Sequence, residues 1–169
     1  MTRLITILER TSNITGRLIC WLLLLMVVFS CTVVLLRYGF NISAGSLQDL
    51  LLYSHAAVFL LGAAYTLQQD EHVRVDIFYS RFNTRQKAWV NAVGTLVFLL
   101  PFTLFLLLCG WYYFAAALAI REGSMNPSGL GLVYLFKGLI PLAMLLLLLQ
   151  AISLLLQSAS TLVLERTPE

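Results

Sequence analysis

Residues 18–36 read LICWLLLLMVVFSCTVVLL, nineteen in a row without a charge. As a helix this run is about 28 Å long at roughly 1.5 Å per residue, close to the ~30 Å hydrocarbon core of a bilayer. Three further apolar runs follow, at about 47–67, 88–120 and 134–164. With 60% of residues hydrophobic and 11% charged, the chain has too little polar surface to enclose them in water. Backbone in hydrocarbon must satisfy its own N–H and C=O groups, and runs of this length do so as helices. The expected fold class is therefore all-α: an integral membrane protein with four transmembrane helices at 18–36, 47–67, 88–120 and 134–164, forming one domain over 1–169.

The charges that are present exclude other classes. A net charge of +3 comes with no basic run and no interleaving of basic and aromatic residues, so a nucleic-acid partner has no support. Cys20, Cys31 and Cys109 lie within apolar runs and form no metal or disulfide spacing, so they read as small buried apolar residues. Arg3, Arg10 and Arg17 precede the first run as they would in a signal peptide. That run extends past Cys31 to Leu36, longer than a cleaved leader needs, and is expected to stay as a span.

Each span has its own marks. In the second, Ser46-Leu47-Gln48-Asp49 matches a capping pattern, which predicts that Asp49 accepts from an orphan donor in the first turn of its own helix. His55 lies seven residues after Gln48, on nearly the same face, and Ser54, Ala57 and Ala64 form a stripe of small residues suited to close helix contact. The third run, about 50 Å as a helix, exceeds a hydrocarbon core and must tilt, bend or protrude, with Pro101 the expected kink. Trp89 at one end and Trp111, Tyr112 and Tyr113 near the other suit headgroup level. In the fourth, Gln150, Ser153 and Gln157 share a face and are expected to hydrogen-bond between helices. Ser54, His55, Ala57, Ala64, Gln150, Ser153 and Gln157 are thus the candidate partner interface, with the featureless first helix left to membrane lipid.

Between spans two and three runs QQDEHVRVDIFYSRFNTRQK, residues 68–87, which holds seven of the nineteen Asp, Glu, Lys and Arg residues. Val75, Phe78, Tyr79 and Phe82 recur there at helical spacing, with Arg74, Asp76 and Arg81 on other faces. The spacing predicts a short amphipathic helix lying in the membrane interface, with Asp76 free to pair with an arginine or a partner. This connector, the N-terminal segment and the tail carry eight Lys and Arg; the opposite end carries Arg37, Arg121 and Lys137. The bias puts both termini in the cytoplasm.

An enzyme or electron carrier is excluded by what the chain lacks. His55 and His72 are 17 residues apart, about 25 Å if helical, and cannot easily share a haem. No nucleotide loop, zinc motif or carboxylate pair is present, so no catalytic, metal or cofactor site is expected.

The stretches GAAYTLQQDEHVRVDIFYSRFNTRQKAWVN and WYYFAAALAIREGSMNPSGLGLVYLFKGLIPLAMLLLLLQ bring a family into view. Three elements are the most specific: H-V-R-V-D at His72 to Asp76, E-G-S-x-x-P at Glu122 to Pro127, and K-x-x-I-P at Lys137 to Pro141. In order and spacing they resemble the small permease subunit of tripartite ATP-independent periplasmic (TRAP) transporters. The resemblance implies a non-catalytic, four-span scaffold in the bacterial inner membrane. It implies a large permease partner that carries a sodium-coupled path and a periplasmic solute-binding receptor that delivers substrate. It brings no substrate or ion ligands, and its wording points to 2-oxo acids and related organic acids. Because the sequence stops at Glu169, association with the large permease is expected to be non-covalent. The small subunit of tripartite tricarboxylate transporters, also four-span, and a stand-alone small membrane transporter are the alternatives.

Overall fold

The computed structural model describes residues 2–69, 82–126 and 128–164, and among them the chain is helical without strands. The helices are α1 (Thr2–Gly39), α2 (Gly45–Gln68), α3 (Thr84–Gly94), α4 (Leu100–Ala119) and α5 (Val133–Leu164). A wide π-helical turn, Thr95–Leu99, joins α3 to α4 without a break. Four stretches are long and apolar enough to cross a membrane: Ile14–Gly39, Gly45–Leu67, Thr84–Ala119 and Val133–Leu162. The predicted interfacial helix falls mostly outside the described residues, with Val75, Asp76, Phe78 and Tyr79; Phe82 stands half-buried at the bend before α3.

Local chemistry sets the breaks. The N–H of Asn83 donates to Gln86 Oε1 at 3.0 Å, which fixes the entry to α3. After α4 the Arg121 N–H reaches the Leu118 carbonyl and the Glu122 N–H the Ala117 carbonyl, the paired bonds that end a helix through a left-handed residue. That residue is Arg121, at φ 46. Asn41 has the same role after α1, at φ 57, where Ile42 N–H bonds the Leu36 carbonyl. Pro101 acts as expected of a helix disturbance, but through the turn before it. Its ring crowds the carbonyl four residues back, and the wider turn, in which Leu100 N–H bonds Thr95 O, makes that room. Thr103, fully buried, donates its hydroxyl to the Leu99 and Leu100 carbonyls at 2.8 and 3.0 Å.

α5 is the hub, with α1, α2, α3 and α4 all packed on it and α1 also lying along α2. The core joins Ala64 and Leu67 of α2 to Ala143, Met144 and Leu147 of α5. Against α5, α4 turns Thr103, Gly110 and Ala117, seven residues apart and all buried. Gly110 is needed for that approach, since a Cβ there would stand 2.9 Å from Ile140 Cγ2. Lipid tails are as apolar as leucine, so such helix contacts rest on close fit of small residues rather than on escape from water.

The outer surface is apolar, as a lipid-facing surface is. Trp89, Trp111, Tyr112 and Tyr113 are all exposed. The three cysteines correct an expectation: each is free and exposed on its helix, because the narrow contacts are taken by glycine, alanine, serine and threonine instead.

Candidate functional site

Among the described residues, a polar cluster sits at one end of the helices, where the loop from α4 to α5 folds over the start of α2. Asp49 is 5% exposed. Its Oδ1 accepts from Asn126 Nδ2 at 2.7 Å and its Oδ2 from the Leu130 N–H at 2.9 Å. The Ser124 side chain adds a third hydrogen bond. The loop is braced internally as well, through Ser124 N–H to Leu130 O at 3.1 Å, Asn126 N–H to Ser124 Oγ at 3.2 Å and Gly129 N–H to Asn126 O at 2.9 Å. Gly129 runs so close to the carboxylate that a Cβ would stand 2.5 Å from Asp49 Oδ2 and 2.3 Å from Ser124 Oγ.

This placement corrects the capping expectation. α2 begins at Gly45, with Ala44 before it and no side-chain cap, so Ser46 and Asp49 are already inside the helix. The orphan N–H of Gly45 is met from outside by Ser128 Oγ at 3.2 Å. Loop and helix start therefore satisfy each other in both directions. A buried carboxylate is costly unless hydrogen-bonded, and three donors from one loop answer it.

A second clasp closes the loop onto α5. Lys137 Nζ lies 2.6 Å from Glu122 Oε2 and 4.0 Å from the centre of the Tyr113 ring. A cation in the opening turns of a helix opposes the helix dipole, and Glu122 offsets it. Glu122 and Lys137 stood in separate sequence elements, E-G-S-x-x-P and K-x-x-I-P, and this pair joins them. Tyr53, one turn below Asp49, stacks on Phe136 of α5 with ring centres 4.9 Å apart.

The candidate interface residues divide. Ala64 is 1% exposed, Gln150 3% and Ser153 fully buried, all packed among the chain's own helices. Gln157 Nε2 meets Ser153 Oγ at 3.4 Å within α5, and Ser54 Oγ donates to the Leu50 carbonyl of α2 at 2.8 Å. Ser54 and Ala57 are half-buried, while His55 is exposed. Sequence reading placed Ser124 only within the E-G-S-x-x-P element, without a role, and missed Asn126 and Ser128. The available signal was a run of small polar residues facing, across 77 positions, a buried acid with no neighbour of its own. Among the described residues no three His, Cys, Asp or Glu side chains gather as a metal site.

Residues 8–161 match the family model described as the DctQ component of tripartite ATP-independent periplasmic transporters. The chain belongs to the DctQ family. The match takes in all four spans and both clasps, and it selects the TRAP family over the tricarboxylate alternative. No curated protein and no solved structure matches the chain. As a DctQ component it is a small membrane subunit of a TRAP transporter, multi-pass and helical.

Proposed function

We propose that this DctQ chain is a non-catalytic scaffold. It anchors and enlarges the large permease of a receptor-dependent, sodium-coupled uptake system for organic acids, in a bacterial inner membrane with both termini in the cytoplasm. The observation that carries the reading is where the polar side chains go. Asp49, Ser124, Asn126, Ser128, Glu122 and Lys137 are engaged in holding the start of α2, the α4–α5 loop and α5 together, and Thr103 bonds back within its own helix. A transport site needs polar groups converging on a cavity, with bonding capacity left for a solute. In this reading that site belongs to the large permease, and the periplasmic solute-binding receptor loads it. The Lys and Arg bias turns the end bearing the Asp49 clasp to the periplasm. The partner meets the outer faces of α2 and α5, at His55, Ala57 and Gln157, while Ala64, Gln150 and Ser153 support those faces from within.

Affinity purification of the tagged chain, co-expressed with its large permease and taken up in mild detergent, tests the reading. The large permease is expected in the eluate. A chain that elutes free of it, with the permease active in its absence, would refute the scaffold role.

A further inference from the structure

Between α1 and α2 the outer surface opens into a groove of about 540 Å³, lined by Met26, Val27, Ser30 and Cys31 on α1 and by Gln48, Leu51, Leu52 and His55 on α2. His55 is exposed and stands near the middle of the 23-residue span Gly45–Leu67, and Ser30 of α1 lines the same groove. The Gln48, His55 and Ser30 side chains have no hydrogen-bond partner among the described residues, unlike Ser54, which bonds back to its own helix. Polar side chains set in hydrocarbon are costly, and an acyl chain offers them nothing. An imidazole facing outward at mid-span therefore calls for a protein group. The groove is wide because its α1 wall is partly of small side chains, Ser30 and Cys31, which leaves room for side chains of an incoming helix.

We propose that this groove seats a transmembrane helix of the large permease bearing a hydrogen-bonding side chain level with His55, an inference that rests on the scaffold reading. It brings α1 into the interface. The groove joins His55 to that contact, with Ala64 behind it as inner support.

The test uses the whole transporter in its native membrane. Photo-crosslinking residues replace Val27 and Leu52, whose side chains are 58% and 53% exposed beside the groove. Both are expected to give adducts with the large permease, identified by mass. His55→Leu should weaken association about three- to twentyfold, the range of one interhelical hydrogen bond, and His55→Gln should stay near wild type. Adducts only with lipid or with a second copy of this chain would overturn the assignment, as would unchanged association of His55→Leu. Where the unmodified chain retains the permease but the groove gives no permease adduct, the groove alone fails. Where the unmodified chain retains no permease, the scaffold reading fails and takes the groove with it.

Discussion

Asp49 of α2 and Asn126 of the loop between α4 and α5 are 77 residues apart in sequence and 2.7 Å apart in space. With the bonds from Leu130 to Asp49 and from Gly45 to Ser128, their contact ties the start of α2 to the α4–α5 loop at one end of the spans. Asp49→Ala removes the acceptor of the exposed Asn126 amide and of the half-buried Leu130 N–H, at a cost of about 0.5 to 1.5 kcal/mol for each hydrogen bond lost. Thermal unfolding in mild detergent should show a clear fall in Tm. Asp49→Asn keeps the size but turns an amide toward one donor, so it should fall between Ala and wild type. An unchanged Tm for Asp49→Ala would remove the clasp from the account.

Gly129 and Gly131 lie two residues apart in the same loop and should respond in opposite ways. A methyl at Gly129 collides with Asp49 and Ser124, while a methyl at Gly131 meets nothing within 4 Å. Gly129→Ala should cost about 1 to 3 kcal/mol, the usual penalty of overpacking. Gly131→Ala should stay within about 0.5 kcal/mol of wild type. The two melting curves, compared side by side, check the docking of the loop independently of any charge.

The Glu122–Lys137 pair predicts coupling. Lys137→Met removes both the carboxylate contact and the Tyr113 ring contact, so it should lower Tm more than Glu122→Gln does. The double variant should lose less than the sum of the two, because each single change already breaks the same pair. Strict additivity in a double-mutant cycle would mean that the two side chains act separately.

Much of this fold was legible because hydrocarbon imposes one rule on every residue of a span. Run length alone indicated four helices long and apolar enough to cross a membrane, although α1 begins at Thr2, well before the apolar run, and Pro101 announced the disturbance that appears as the wide turn at Thr95–Leu99. What a single sequence carries poorly is which helix meets which. Ser46-Leu47-Gln48-Asp49 has the spacing of a local cap, yet the donors to Asp49 come from Ser124, Asn126 and Leu130. Small-residue periodicity likewise shows that a face packs closely without naming its neighbour. The stripe containing Ala64 was read as a surface for a partner, and the structure packs Ala64 against α5 of the same chain. The close approach of Gly110 to Ile140 and Pro141 drew no notice because a lone glycine in an apolar run has no periodic signal.

Orientation follows from the charge bias and can be read chemically. Ser43, in the loop after α1, and Thr84, at the start of α3, are both exposed and lie at opposite ends of the spans. In a variant without native cysteines, Ser43→Cys should react with an impermeant maleimide in intact spheroplasts, and Thr84→Cys only after the membrane is opened. Labelling of both from one side would contradict the four-span layout. Reversed labelling would contradict the cytoplasmic termini.

The scaffold role is tested most directly by uptake into proteoliposomes. Vesicles holding this chain alone, given the solute receptor, an inward sodium gradient and radiolabelled organic acid, should take up no more than empty vesicles. Vesicles holding this chain together with the large permease should accumulate the acid. Accumulation by the chain alone would contradict the account and make this small subunit a transporter in its own right.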